Sequence, residues 1–199
     1  MATRKYEKKR RAEQESETRR RIVEAVFALH GEIGPARTTI KAIADRAGVE
    51  RLTVYRHFAD EGAIFAACDA HFRSETPPPN PADWADIADP GARLRAALMA
   101  FYGFYRRGEK MIANAQRDAA ELPALAAVLA PQRQFVDAAR EDLLAAWPAR
   151  DRADTRLPAA IAHALRFDTW RSLTRVEGLE DAEAAELMVD LARAAAGPR

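Results

Sequence analysis

Cysteine, long apolar runs and catalytic motifs are what this 199-residue chain lacks. Its one cysteine, Cys68, excludes an intrachain disulfide and a cysteine-based metal site. No purely apolar run is longer than the one over residues 124–130, which is far short of the roughly 20 residues that a membrane-spanning helix needs. No apolar stretch follows the basic N-terminus, so we expect no secretory signal, no membrane partner and a cytoplasmic location.

Recognisable catalytic motifs are absent as well. The sequence contains no GxSxG elbow, phosphate-binding loop, dinucleotide fingerprint or HExxH pair. The four histidines, at positions 30, 57, 71 and 163, are scattered and lack metal-ligand spacing. We therefore expect no enzyme activity, no cofactor and no metal ion.

The net charge of the chain is only +1, but the charges are unevenly distributed. Residues 1–60 hold 14 Lys and Arg against 9 Asp and Glu, whereas residues 61–199 hold 17 against 21. The basic excess predicts that the first part of the chain meets phosphate. Abundant alanine, modest glycine and the lack of any segment with period-two alternation predict an all-α protein.

The most informative segment covers residues 38–58, TTIKAIADRAGVERLTVYRHF. Ala44, Gly48 and Val54 have the spacing of a helix-turn-helix. This motif needs a small residue where its helices cross, a glycine that accepts a positive φ at the turn, and an apolar residue that seals the angle between the helices. The second helix of such a unit can lie in the major groove of DNA.

The chain is predicted to have three parts: a basic flexible arm over residues 1–16, a helix-turn-helix domain over 17–60 with a fourth helix linking at about 61–73, and a helical domain over 74–199. In the first domain, helices are predicted at about 17–32, from a cap at Thr38 or Thr39 to the Gly48 turn, and at 51–58. A proline-rich loop covers 76–90, with a short turn near Trp84. Further helices are predicted at about 91–107, 109–121, 123–147 with a candidate kink at Pro131, 155–176 and 181–196, the last two separated by Gly178.

Residues 38–65 resemble the DNA-binding domain of the TetR/AcrR transcriptional repressors. The resemblance rests on the threonine pair at 38–39, Ile43-Ala44, Ala47-Gly48-Val49, Thr53-Val54-Tyr55, His57-Phe58 and Ile64-Phe65, and its pattern extends back through residues 19–27. The rest of the chain matches only in length and helical character. The resemblance implies a homodimer on a palindromic operator, with a small effector in a C-terminal helical pocket that releases the DNA.

Nine residues on the two helices of the motif are candidates for DNA contact. Thr39 at a helix start can place its hydroxyl and backbone N–H on a phosphate, and Lys41 suits guanine or phosphate. Arg51 opens the recognition helix and is the candidate for bidentate guanine recognition. The full set is Thr38, Thr39, Lys41, Arg51, Leu52, Thr53, Tyr55, Arg56 and His57.

Several of these candidates have a second interpretation. Leu52 and the Thr53 methyl group would meet thymine methyls, while Tyr55 and His57 would hold phosphates. Tyr55 can also be half core, and His57 can instead cap or buttress the start of the fourth helix. Arg56 can contact a base, a phosphate or only solvent.

The basic run Lys8-Lys9-Arg10-Arg11 in the arm also has two interpretations. It can follow the DNA backbone or reach into a minor groove, which would add salt-sensitive affinity with little sequence choice. It can equally be a solvated tail. The sequence leaves both open.

The C-terminal domain is predicted to supply the effector pocket and the dimer surface. Pockets are usually apolar with a few placed polar groups, and the candidate lining residues are Met99, Tyr102, Tyr105, Met111, Asn114, Arg117, Phe135, Phe167 and Trp170. We expect an apolar or aromatic effector. The last two predicted helices favour a four-helix bundle between subunits, with Ile161, Leu165, Leu173, Leu187 and Leu191 as interface candidates. Trp170 can face either the pocket or the partner.

Two other functions compete with a ligand-responsive repressor. An effector-independent or architectural DNA-binding protein would need fewer C-terminal helices than this chain has. A thiol sensor would use Cys68, but its place on an apolar stripe with Ile64, Phe65 and Phe72 favours a buried, inert thiol. A repressor is favoured over an activator, and the operator, the effector and the regulated genes stay open.

Two glutamates depart from the family pattern. Glu50 stands where the recognition helix usually has a Ser or Thr cap, and Glu61 stands where the fourth helix commonly has a Lys near its start. A carboxylate suits a helix N-terminus, but it repels phosphate. One DNA anchor is therefore missing, and we expect the basic arm or Arg56 to compensate.

The substitution Glu61→Lys is expected to tighten operator binding and to steepen its salt dependence, because a cation near the DNA backbone adds counterion release. The measurement is the dissociation constant of the wild-type and variant proteins across a salt series. Unchanged affinity throughout that series would contradict the prediction.

Overall fold

The computed structural model describes residues 2–153 and 155–197, apart from the side chains of residues 2–5, 7 and 8, and within these ranges its regular elements are helices and helical turns. The all-α prediction is therefore confirmed. The chain forms two compact units: the first comprises the residues up to Glu75 together with Lys110–Leu129, and the second comprises Thr76–Glu109 and the residues from Ala130 onward. No helix in the described ranges is long and apolar enough to cross a membrane.

Helices of the first unit run in the order that the sequence predicts. They are α1 (Ala2–Glu32), α2 (Ile40–Ala47), α3 (Arg51–His57) and α4 (Glu61–Glu75), with a 3-10 turn at Pro35–Arg37. The last part of α5 (Pro90–Asp118) and α6 (Pro123–Val128) complete this unit.

Helix α1 begins at Ala2, well before the predicted start at about residue 17. Residues 2–16 contain no glycine or proline and are rich in Glu, Lys and Arg, which are good helix formers. Lys9 and Glu13 form a solvent-facing i,i+4 ion pair at 3.8 Å. The high charge of this segment led to the prediction of an irregular arm, but the backbone is helical from Ala2 onward. Whether the arm is flexible stays a prediction, and Met1 and the Lys8 side chain lie outside the described residues.

The core of the first unit is one apolar cluster contributed by all four of its N-terminal helices. Its buried members are Ile22, Ala25, Val26, Leu29, Ile43, Ala44, Ala47, Val54, Phe58, Ile64 and Cys68. The predicted apolar stripe of α4 is confirmed, since Phe65 and Phe72 are buried as well. Burial raises the pKa of the Cys68 thiol to about 12, which keeps it protonated and argues against a thiol sensor.

The turn between α2 and α3 has the geometry that the motif requires. Gly48 takes the left-handed conformation (φ 64°, ψ 44°), and the Val49 N–H donates to Ala44 O at 3.0 Å. At the other end of α2, the Thr39 hydroxyl caps the helix by accepting the Ala42 N–H at 3.1 Å. Both features follow directly from the residue types at these positions.

Asn114, near the end of α5, bonds to the end of α1 within the first unit. Its Nδ2 donates to the carbonyls of His30 and Gly31 at 2.9 and 3.0 Å. The His30 ring is buried, and burial lowers its pKa to about 4 despite the opposing charge of Asp118. His30 is therefore a neutral core residue at physiological pH.

Gly34 and Asp118 meet where α1 gives way to the 3-10 turn. Gly34 has φ 89° and ψ 157°, a conformation that is essentially restricted to glycine. Asp118 is 5% exposed and accepts the Ala36 N–H at 2.9 Å and an Arg117 N–H at 2.7 Å. Burial opposes ionisation of Asp118, but these hydrogen bonds prevail and lower the pKa of the carboxyl.

In the second unit, a 3-10 turn at Pro81–Asp83 lies next to the predicted turn near Trp84. The helices of this unit are the first part of α5, α7 (Ala130–Ala145), α8 (Ala149–Arg152), α9 (Arg156–Ala164), α10 (Phe167–Arg171) with a π-helical turn at Ser172–Val176, and α11 (Asp181–Ala195). Gly178 has φ 76° in the predicted turn before α11. The short helix α8 was not predicted.

Helix boundaries further along the chain also differ from the prediction. Helix α5 is continuous where two helices were predicted, because Gly108 is a single weak helix former among strong ones. The predicted helix over 123–147 is divided at Leu129 rather than kinked at Pro131. Pro131 cannot donate to the carbonyl four residues earlier and its ring clashes there, so a new helix begins with proline in its first turn.

The predicted helix over 155–176 is also divided. Helix α9 ends at Ala164, and a separate α10 follows. The Tyr102 hydroxyl donates to Ala164 O at 3.0 Å, and the Tyr105 hydroxyl donates to Leu165 O at 2.6 Å. These bonds satisfy carbonyls near the break. Because the partners are about sixty residues apart, the local pattern could not reveal the break.

The substitution Gly34→Ala is expected to destabilise the protein by about 3 kcal/mol, because the backbone would be strained and the new Cβ would displace Arg117 and Asp118. An ideal Cβ at Gly34 would lie 2.6 Å from Asp118 Oδ2. The matched control is Gly178→Ala, whose Cβ would meet nothing within 4 Å, so that only a backbone cost of about 1 kcal/mol is expected. Urea denaturation measures both, and equal losses would contradict the prediction.

Candidate DNA-binding surface

Helix α3 buries one face and exposes the opposite face. Val54 is 0% exposed, and Phe58, just after the helix, is 2% exposed. Leu52 and Tyr55, by contrast, are 80% and 58% exposed. Because an α-helix has 3.6 residues per turn, burying Val54 turns its neighbours outward. The core positions of Val54 and Phe58 are confirmed.

Arg19 of α1 holds the C-terminal end of α3, a role that sequence reasoning missed. Its Nη1 donates to His57 O at 2.9 Å, and its guanidinium lies 4.3 Å from the centroid of the Phe58 ring. The contact joins a free helix-end carbonyl to a cation and adds a cation–π interaction. No signal in the local sequence marks it, since the hydrogen-bonded residues are 38 positions apart.

One interpretation of His57 was that it caps the fourth helix, but the structure shows a different cap. The Asp60 carboxylate accepts the Ala63 N–H at 2.8 Å and so caps α4. The His57 side chain is half-buried at the end of α3. The Glu50 side chain makes no capping hydrogen bond to α3, although Glu50 occupies the cap position.

The candidate residues of α2 already have local partners. The Thr38 hydroxyl donates to Gly34 O at 2.9 Å, and the Thr39 hydroxyl caps its helix. Lys41 forms an ion pair with Asp45 at 2.7 Å, in which the two side chains are 64% and 63% exposed. Such exposed pairs contribute little to stability, so the Lys41 ammonium can exchange its partner for a phosphate.

Arginines of the first unit differ in whether an acid neutralises them. Arg46 donates to both carboxylate oxygens of Glu32, at 2.9 and 2.7 Å, and these hydrogen bonds lower the pKa of Glu32. Arg51 and Arg56 have no acidic partner among the described residues, and both are exposed. The recognition helix therefore carries two unpaired guanidiniums.

The candidate effector residues of the second unit form mostly buried contacts. The Tyr105 ring centroid lies 5.5 Å from that of Phe167 and 5.9 Å from that of Trp170, and all three rings are buried. Tyr102 is buried beside Tyr105. Phe135 contacts Phe101 with centroids 5.9 Å apart, and Met99 is 36% exposed. This cluster is the aromatic core of the second unit.

The other three effector candidates belong to the first unit. Met111 packs against the apolar cluster of that unit. Asn114 bonds to the end of α1, and Arg117 pairs with Asp118. Each side chain thus has a structural contact within its own unit, and an effector role for any of them stays a prediction.

The interface candidates fall into two groups. Ile161 and Leu165 are buried within the protomer, at 0% and 1% exposure, so their prediction as surface residues is corrected: α9 packs into the core. Leu187 and Leu191 on α11 are 47% and 43% exposed, and Leu173 is half-buried. The interface prediction therefore stays with these three. Trp170 is 0% exposed, and its Nε1 donates to Asp181 at 2.8 Å.

Three features of this region are those of a DNA-binding helix-turn-helix. Val54 packs α3 into the core, and Gly48 forms a left-handed turn before the helix. The exposed face of α3 carries Arg51 and Arg56, which have no acidic partner among the described residues. The sequence model of "Bacterial regulatory proteins, tetR family" matches residues 22–68, from the buried Ile22 of α1 to Cys68 of α4. The helix-turn-helix part of the chain, residues 22–68, thus resembles the DNA-binding domain of tetR-family regulators.

Solved structures with low sequence identity share the fold. A TetR-like transcriptional regulator from Rhodococcus sp. RHA1 has 20% identity and a TM-score of 0.63 over 91% of this chain and 97% of that one. A tetR-family regulator from Streptomyces coelicolor has 18% identity and a TM-score of 0.61 over 91% and 82%. The multidrug binding protein EbrR, complexed with imidazole, has 21% identity and a TM-score of 0.55 over 88% and 89%. No curated protein matches the chain.

The substitution Arg19→Lys is expected to weaken binding to a DNA site selected with the wild-type protein about three- to tenfold. Lys keeps the charge, but it loses the directed N–H bond to His57 O and the planar contact with Phe58. The measurement is the dissociation constant at one fixed salt concentration. The control is Arg20→Lys, since Arg20 pairs with Glu17 and Glu24 on its own helix and should leave affinity unchanged. Equal affinities of the two variants would contradict a role for Arg19 in positioning α3.

Proposed function

We propose that the chain is a ligand-responsive repressor that binds a palindromic operator as a homodimer. The observation that carries the operator-binding part is the outward face of α3, on which the exposed Arg51 and Arg56 have no acidic partner among the described residues. A packed helix that exposes unpaired guanidiniums is suited to base edges and phosphates.

Each residue on this surface has a proposed role. Arg51 reads a guanine through two N–H donors, and Leu52 with the Thr53 methyl group meets thymine methyls. Arg56 contacts a base or a phosphate, and Tyr55 holds a phosphate with its hydroxyl. Thr38, Thr39 and Lys41 from the neighbouring elements, together with His57 at the end of α3, contact the DNA backbone and set the register of α3.

Homodimerisation is supported by apolar side chains exposed on the second unit. Leu187 and Leu191 are one helical turn apart on α11, and Leu173 lies on the π-helical turn that precedes it. Val176, on that same turn, is 76% exposed. Exposed apolar side chains at helical spacing suit the face of an intersubunit bundle. The two-fold symmetry of a dimer would then match a palindromic site.

Effector binding is proposed for the second unit, near its aromatic core. Tyr102, Tyr105, Phe167 and Trp170 would form an apolar wall that suits an aromatic or apolar compound. The structurally similar EbrR is a multidrug binding protein. Release of the operator would require that the effector favour a conformation that binds DNA poorly.

The test is to select binding sites from randomised duplexes with the purified protein and then to footprint the selected site. We expect a palindrome with half-sites about one helical turn apart or slightly more. Arg51→Ala should weaken binding by about 1–3 kcal/mol and relax the preference at one base pair of each half-site. Arg46→Ala removes the same charge from a side chain that is paired with Glu32, and it should leave base preference intact.

The outcomes separate the candidate functions. Loss of preference with Arg51→Ala but not with Arg46→Ala supports sequence reading by α3. Binding of the wild-type protein without any preferred sequence would instead support an effector-independent or architectural DNA-binding protein.

A further inference from the structure

An open groove of about 620 Å³ lies between α1 and α3 in the first unit. Arg11 and Arg21 line it from α1, and Arg56 and His57 line it from α3. Arg11 belongs to the part of α1 that precedes the predicted helix start, so the N-terminal extension of the helix supplies part of the groove lining. The groove shares Thr53, Arg56 and His57 with the proposed operator-binding surface, and its α1 side adds residues outside that surface.

The arginines of this groove are not neutralised within the protein. Arg11, Arg21 and Arg56 form no salt bridge among the described residues, and Arg21 has only a longer-range electrostatic interaction with Glu17. Elsewhere in the first unit, Arg20, Arg46 and Arg73 each pair with a carboxylate. The structure thus leaves unpaired the guanidiniums that line the groove and pairs others nearby. An unpaired arginine fork is complementary to a phosphate diester.

Two carboxylates also line the groove, Glu15 on α1 and Glu50 before α3. The positive charge of the three arginines exceeds the negative charge of the two acids. These two carboxylates allow a direct test. Removing a carboxylate should raise the affinity of the groove for a nearby phosphate, whereas removing a guanidinium should lower it.

We infer that the groove between α1 and α3 binds the sugar-phosphate backbone of the DNA duplex, with Arg11 and Arg21 as phosphate donors on α1. Arg11 and Arg21 are ten residues apart, about 15 Å along the helix at 1.5 Å per residue, so they reach different phosphates. The N-terminal extension of α1 is therefore a second wall of the DNA interface and not a solvated tail. This inference rests on the proposed function, in which α3 lies against DNA.

The experiment compares Arg11→Ala with its neighbour Arg10→Ala. Both variants lose one exposed arginine from the same helix, but Arg10 does not line the groove. The observed binding constant is measured against salt concentration on the DNA site that the wild-type protein selects. Arg11→Ala should make the slope of log K against log salt shallower by about 0.9, the value for one phosphate contact on duplex DNA. Arg10→Ala should keep the wild-type slope.

Two further readouts locate the contact. Ethylation of individual phosphates should identify at least one position that impairs the wild-type protein but not Arg11→Ala. Glu15→Gln should tighten binding, because it removes a carboxylate from the groove. Circular dichroism and thermal unfolding should match the wild type for all three variants, since Arg10, Arg11 and Glu15 are exposed.

Wild-type slopes for both arginine variants, or equal reductions in both, would overturn the inference and leave the proposed function intact. If the wild-type protein selects no operator, the proposed function fails. The same slope comparison on an arbitrary duplex then still decides whether the groove binds backbone.

Discussion

Burial of Val54 is the constraint on which the DNA-binding surface depends. Its side chain shares one apolar cluster with Ala44 of α2 and with Ile22 and Val26 of α1. Because α3 has only seven residues, it could not be stable alone. Its orientation comes from this packing, from the left-handed glycine before it and from Arg19 behind it. The outward direction of Arg51, Leu52 and Tyr55 is a consequence of what is buried on the other side.

Ion pairing divides the charged residues of the first unit into two groups. Arg46 and Arg20 have carboxylates within hydrogen-bond distance, and their charge is largely cancelled locally. Arg11, Arg21, Arg51 and Arg56 have no such partner among the described residues. A net charge of only +1 for the chain therefore conceals a surface on which unpaired cations are concentrated. For binding to a polyanion, this local arrangement matters more than the sum.

Buried polar groups determine the form of the second unit. The hydroxyls of Tyr102 and Tyr105 donate to carbonyls near the end of α9, and the Trp170 indole donates to Asp181. Arg106 also binds Asp181 through both carboxylate oxygens, at 2.7 and 2.8 Å, so this acid joins α5 to the start of α11. Burial opposes ionisation of Asp181, but hydrogen bonds from Arg106 and Trp170 lower the pKa of the carboxyl. Each large aromatic side chain is thereby oriented as well as buried.

Features that depend on neighbouring residues were predictable from the chain alone. The Thr39 cap, the Gly48 turn, the burial of Val54 and the apolar stripe of α4 follow from residue types at helical spacing, and all were found. Features that depend on distant residues were not. The early start of α1 is an exception, since it depends on local helix propensity and was missed because high charge was given more weight.

The features that could not be predicted depend on tertiary contacts, because the residues that make each contact are far apart in the sequence. The Arg19 contact with the end of α3, the division between α9 and α10, and the burial of Ile161 and Leu165 each require residues that only folding brings together. Local pattern thus determined the helix-turn-helix and the all-α class, since turn and helix chemistry act over a few residues. Which arginines are unpaired, and which apolar residues face solvent, was decided by packing across the fold.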